Sequence, residues 1–116
     1  MTNLEWVRRH CILMPHATEE VLFGDNLVFK IGGKMFAIAA SVPSTRVLSF
    51  KTSPEEFAEL CERPNIIPAP YLARAYWVAL EAWDALSRAE LKHRLTVAYE
   101  LAKKSLSKKV QAGLKE

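Results

Sequence analysis

The chain has 116 residues, four of them glycine, with 50% hydrophobic and 25% charged residues. That is one domain's length in a globular composition, which excludes a second independent core, a disordered chain and a fibrous repeat. The formal charge is +3, no apolar run approaches the ~18 residues of a membrane span, and Met-Thr-Asn-Leu-Glu-Trp does not begin a signal peptide, so a cytoplasmic location is expected.

Thr2 with Glu5 three positions on forms a capping box, which predicts a helix running to about Met14. Leu4, Val7, Cys11 and Met14 share its apolar face, Glu5, Arg8 and Arg9 lie opposite, and Pro15 stops the pattern. A short strand from Glu20 to Phe23 ends at the Gly24-Asp25 turn. Asn26 to Ile31 alternates Leu27, Phe29 and Ile31 against Asn26, Val28 and Lys30, and Lys34 to Ala40 alternates again. Two such runs around Gly32-Gly33 predict a tight hairpin. A turn at Val42 to Thr45 leads to a fourth strand, Arg46 to Lys51, with Leu48 and Phe50 on one face.

Ser53-Pro54-Glu55-Glu56 supplies an N-cap serine, a proline at the first helical position and a glutamate that completes the box. The second helix runs to about Glu62, with Phe57, Leu60 and Cys61 apolar and Glu55, Glu59 and Glu62 acidic. Three prolines between Pro64 and Pro70 predict an extended loop. Ala75 to Glu81 reads as a fifth strand, Tyr76, Val78 and Leu80 alternating against Trp77 and Ala79. Ser87 and Glu90 open the last helix with a third box, and Leu91, Leu95, Ala98, Tyr99, Ala102 and Leu106 form its buried stripe. A frayed basic tail is expected over about 108–116. The expected fold is therefore α+β, an antiparallel β-sheet of about five strands packed against helices in the order α-β-β-β-β-α-β-α.

Catalytic and metal-binding patterns are missing from this sequence. His10, His16 and His93 fall in three separate elements, and Cys11 and Cys61 make no Cys-x-x-Cys pair, so no metal, cofactor, redox motif or disulfide framework is expected. Cys61 reads as a small buried hydrophobe. No Gly-x-Ser-x-Gly elbow occurs, Gly32-Gly33 lacks the helix that would align phosphate-binding amides, Glu19-Glu20 opens a strand and Glu55-Glu56 caps a helix. The expectation is a protein that is not an enzyme.

Charge points elsewhere. Met1 to Ser87 carries eight basic and ten acidic residues, whereas Arg88 to Glu116 carries eight and three. A late lysine-rich helix is favoured by its own dipole, and it also suits phosphates. Lys30, Lys34, Arg46 and Lys51 fall on strands or strand ends, and Arg74 precedes Tyr76 and Trp77. Cations beside exposed rings suit a nucleic-acid surface; the plainer reading makes the rings core and the lysines protection against edge pairing.

The run Asp25 to Ala37 (Asp-Asn-Leu-Val-Phe-Lys-Ile-Gly-Gly-Lys-Met-Phe-Ala), then Leu48-Ser-Phe-Lys51, Ser53-Pro-Glu-Glu-Phe57, Tyr71 with Trp77, and Ala98-Tyr-Glu-Leu-Ala102 resembles the MmcQ/YjbR family over almost the whole chain. The resemblance implies a compact CyaY-like α+β domain, described as DNA-binding through a double-wing arrangement. Lys30, Lys34 and Lys51 match the family's basic strand positions and Trp77 its tryptophan. Between Tyr71 and Trp77 this chain has Leu-Ala-Arg-Ala-Tyr, where many members are richer in Asn, Lys, Arg or His, so Arg74 is the one base retained. The frataxin-like relatives of the fold carry an acidic ridge on the first helix; here that helix has Glu5 as its one acid, which argues against an iron partner. The expected function is low-specificity DNA binding through Lys30, Lys34, Arg46, Lys51 and Arg74 with Trp77, assisted by the lysines of the terminal helix. The alternative is a protein or small-ligand interaction module that uses the cleft between the Pro64 to Pro70 loop and the sheet.

Overall fold

The computed structural model describes residues 2–42 and 44–114. Helix α1 (Asn3–Leu13) opens on the Thr2 and Glu5 capping box, both of its hydrogen bonds being formed. Strands β1 (Ala17–Leu22), β2 (Asn26–Ile31), β3 (Lys34–Ala40) and β4 (Leu48–Lys51) follow as an antiparallel meander. Helix α2 (Pro54–Leu60) is capped by Ser53 and Glu56 as predicted. Strands β5 (Ile66–Pro68) and β6 (Trp77–Leu80), the long helix α3 (Arg88–Lys104) and a short helix α4 (Lys108–Gly113) complete the chain.

The sheet has six strands in the order β1-β2-β3-β4-β6-β5, against the five expected. The additional strand lies inside the proline-rich stretch, where Ile66, Ile67 and Pro68 pair with Leu80, Ala79 and Val78. An outermost strand needs partners on one side only, so prolines are tolerated there. Strand β1 begins three residues earlier than predicted. At the other border the segment from Ala75 is corrected: Ala73–Ala75 is a turn of 3₁₀ helix and Tyr76 takes a left-handed φ of 60°, so extended structure starts only at Trp77. The frayed tail is corrected as well, because Ser107 caps α4 by accepting from the Val110 amide; residues 115 and 116 lie outside the described residues.

Gly32 and Gly33 form the two-residue turn between β2 and β3 with φ of +58° and +84°, a geometry open to glycine and costly for side chains with a Cβ. The turn is also tied to the C-terminal helices. A Cβ on Gly32 would stand 2.6 Å from Leu106 Cδ1 and 3.1 Å from Val110 Cγ1, so the hairpin tip packs on the α3–α4 junction.

Helices α1 and α3 cover one face of the sheet. Val7, Cys11, Leu95, Ala98 and Ala102 meet Phe29, Ile31, Phe36, Ala37, Leu48, Phe50, Val78 and Leu80 in the main core. The Tyr99 hydroxyl donates to the Pro15 carbonyl at 2.7 Å, fastening α3 to the end of α1. Helix α2 is held to α3 by ions. Arg94 donates to Glu56, Glu59 and Glu90, and Arg63 to Glu59 and Glu90, all at 2.8 to 3.0 Å. The third predicted box therefore forms only half: Ser87 accepts from the Glu90 amide, while the Glu90 carboxylate turns to the two arginines. Among the described residues no helix is long and apolar enough to cross a membrane.

Candidate functional site

The strand register sorts the expected DNA-binding residues. In the antiparallel sheet Lys34 opens β3, Lys51 ends β4 opposite Trp77 at the start of β6, and the 3₁₀ turn with Arg74 precedes it, so these three cations share one end of the sheet. Lys51 Nζ donates to the Ala75 carbonyl at 3.4 Å, holding it beside the Arg74 turn. Arg46 precedes β4 and stands at the opposite end, about 16 Å away at some 3.3 Å per strand residue. The five basic positions do not converge.

Two of the expected residues are corrected. Trp77 is 3% exposed, packed with Ala69 and Ala79 and flanked by Met35, Ile38, Ile67 and Leu72 in a second small core on the sheet's other face. Its ring cannot stack on a base, because the apolar face that the family motif presents is consumed by packing. Lys30 projects from the same face, keeps 22% of its side chain exposed and is paired with Glu20 of the neighbouring strand. Its charge is locally neutralised. The sheet face without helices is thus largely apolar, and Val28, which alternation places there, is fully buried.

A basic end emerges instead where the hairpin tip meets the C-terminal helices. Lys34 is exposed, and the contacts of Gly32 with Leu106 and Val110 bring it near Lys103 and Lys104 of α3 and Lys108 and Lys109 of α4. Lys103 lies over the Tyr99 ring, 6.0 Å from its centroid. None of these five lysines forms a salt bridge among the described residues. A cluster of cations attracts polyanions and provides no chemistry of its own.

The second feature is a groove of about 420 Å³ on the apolar face, between the strands and the Ala69 to Leu72 bend. Met35, Ile38 and Ser49 line it from the sheet, and Phe23 and Tyr71 stand exposed beside it. Both aromatic residues have left-handed backbones, φ 52° and 67°, which no period in the sequence signals. Arg46 is the charged side chain of this lining.

Burial pushes the Cys11 thiol far above its ordinary range and raises Cys61 as well, so neither is a ready thiolate. Among the described residues no group of three or more His, Cys, Asp or Glu is placed to hold a metal ion.

Comparison with known proteins supplies the lineage. The uncharacterised protein YbdF of Escherichia coli O157:H7 is 26% identical over 110 residues, covering 92% of this chain and 89% of that protein. A crystal structure of a protein from Pseudomonas syringae superposes with a TM-score of 0.67 at 16% identity, over 88% of this chain and 99% of that one, a likeness of fold. The YjbR family profile matches residues 13–101, from the end of α1 through most of α3, and the chain belongs to the YjbR family.

Proposed function

We propose that the protein is a non-enzymatic, low-specificity duplex DNA-binding protein whose contact surface is the basic end formed by Lys34, Lys103, Lys104, Lys108 and Lys109. The observation that carries this reading is the seating of the Gly32-Gly33 turn on Leu106 and Val110, which joins a strand-borne lysine to four helix-borne ones. Helix dipoles do not account for the cluster. Lys103 and Lys104 occupy the last turn of α3, where cations are favoured, but Lys108 and Lys109 open α4, where the dipole disfavours them. Clustered cations at a site without a local structural benefit fit a phosphate contact. Of the two hairpin turns that would serve as wings, the β2–β3 tip is the basic one; the β1–β2 turn is Phe23-Gly24-Asp25.

Lysines present point charges without the planar fork that pairs with base edges, which favours contact with phosphates over readout of bases. Lys51 and Arg74 flank the same end of the sheet and extend the surface.

The test is fluorescence anisotropy of a labelled duplex at several salt concentrations, comparing the wild type with a Lys34→Ala, Lys104→Ala, Lys108→Ala, Lys109→Ala variant. Each lost phosphate contact reduces the slope of log K against log salt by about 0.9, so the variant's slope falls by roughly 3 to 4. Absence of duplex binding at low salt, or a folded variant with wild-type slope, overturns the proposal.

A further inference from the structure

The groove on the apolar sheet face has a composition unlike that of the basic end. Its sheet side is Met35 and Ile38 with Ser49 and Asn26, and two exposed aromatics, Phe23 and Tyr71, stand beside it. Each ring is carried by a left-handed residue, φ 52° and 67°. For residues with a Cβ that conformation costs on the order of 1 kcal/mol, and such strain gathers where a ligand is clamped. Ser44 Oγ accepts from the Arg46 amide at 3.3 Å, fixing the bend that delivers Arg46 to the groove.

Arg46 has no carboxylate partner among the described residues, and no Asp or Glu lines the groove. One guanidinium over an apolar floor is complementary to one anionic group on an apolar body, and the planar fork suits a carboxylate. Exposed rings beside an apolar trough suit a flat body. A volume of about 420 Å³ falls within the range of small-molecule sites. A nucleotide di- or triphosphate is a poorer match, since several negative charges would meet a single cation.

We infer that this groove is a binding site for a small flat aromatic carboxylate, its ring system lying on Ile38 and Met35 between Phe23 and Tyr71 and its carboxylate held by Arg46. The site is separate from the basic end, with Arg46 at the far end of β4 from Lys51 and Lys34.

The probe is 2-naphthoate, with uncharged 2-naphthamide as its control, titrated into the full chain and followed by amide shifts in ¹H–¹⁵N spectra. Saturable shifts centred on Ile38, Ser49 and Leu72 are expected, with the naphthamide about ten-fold weaker for want of the charged hydrogen bonds. Arg46→Gln should bring naphthoate down to the affinity of naphthamide, Arg46→Lys should restore part of it, and Tyr71→Ala should weaken both probes. Arg46 and Tyr71 are exposed, so these variants keep the fold, which the spectra themselves verify. The lysine variant of the basic end should bind naphthoate unchanged, which separates this inference from the DNA reading. Shifts scattered over the surface, no shifts at millimolar probe, or equal affinity in Arg46→Gln each overturn it. Displacement of naphthoate by a single-stranded oligonucleotide overturns it too, assigning the groove to unpaired bases.

Discussion

Replacing Arg94 by methionine probes the contact between α2 and α3. The Arg94 side chain is 12% exposed, and its guanidinium donates to Glu56 at 2.8 Å and to Glu59 and Glu90 at 3.0 Å. Glu56 is 14% exposed and Glu90 29%, so Arg94→Met leaves the Glu56 carboxylate with the Ser53 amide and no cation, and leaves Glu90 to Arg63. Breaking a fully buried pair costs roughly 3 to 5 kcal/mol and an exposed pair about 0 to 1. Two terms reduce the total: Glu59 is 52% exposed, and Arg94 Nε is buried without a partner, a penalty that methionine removes. The expected loss is about 2 kcal/mol near pH 7, read by urea denaturation. Hydrogen bonds from Arg63 and Arg94 hold the Glu90 carboxyl below its usual range. A depressed carboxyl contributes stability above its unfolded pKa and loses it as pH falls through the folded value. The gap between variant and wild type should therefore shrink below about pH 4.5 and close in stronger acid. Two proteins within about 0.5 kcal/mol at pH 7, or a gap unchanged in acid, would refute this account of the clamp.

Gly32→Ala and Gly33→Ala share the cost of a left-handed alanine, about 1 kcal/mol, but only the first brings a Cβ against Leu106 and Val110. Thermal melts should place Gly32→Ala lower, and its DNA affinity should fall more, because the tip and the α3–α4 junction are pushed apart. Burial, with the Lys92 charge second, lowers the His10 pKa, so the unfolded state binds the proton more readily. Stability tied to His10 should fall as pH drops from about 6.5 toward the depressed value, and Lys92→Ala should raise the His10 midpoint in an NMR titration. Trp77→Ala should cost about 3 to 5 kcal/mol by emptying the second core. Trp77→Phe, which keeps most of the packing, should bind DNA like the wild type; a loss of affinity in that folded variant would return the ring to the interface.

The expected cations Lys34, Lys51 and Arg74 lie at the end of the sheet proposed to meet DNA, while Arg46 belongs to the groove, Lys30 to an ion pair and Trp77 to a core. The strand pattern set Trp77 and Ala79 against Tyr76, Val78 and Leu80, and the structure places Trp77 on the face opposite the helices. What the pattern omitted is that the Ala69 to Leu72 bend folds over that face and closes it. The left-handed turns at Phe23, Tyr71 and Tyr76 were illegible for a simpler reason: aromatic residues carry no local preference for that conformation, and the surrounding packing imposes it.

Local chemistry determined most of the elements, though not β5, the Ala73–Ala75 turn or α4. The Thr2 and Ser53 boxes, the strand from Asn26 to Ile31, the Gly-Gly hairpin and the stripe of α3 each depend on residues within a few positions of one another, and each stands where periodicity and capping placed it. The tertiary structure decided the pairings across long separations: Arg94 with Glu56, Gly32 with Leu106 and Val110, and Arg46 with a groove walled by Ala69 and Leu72. Side chains that meet across strands and helices carry no mark of their partner in the sequence, because burial and charge pairing belong to the assembled surfaces.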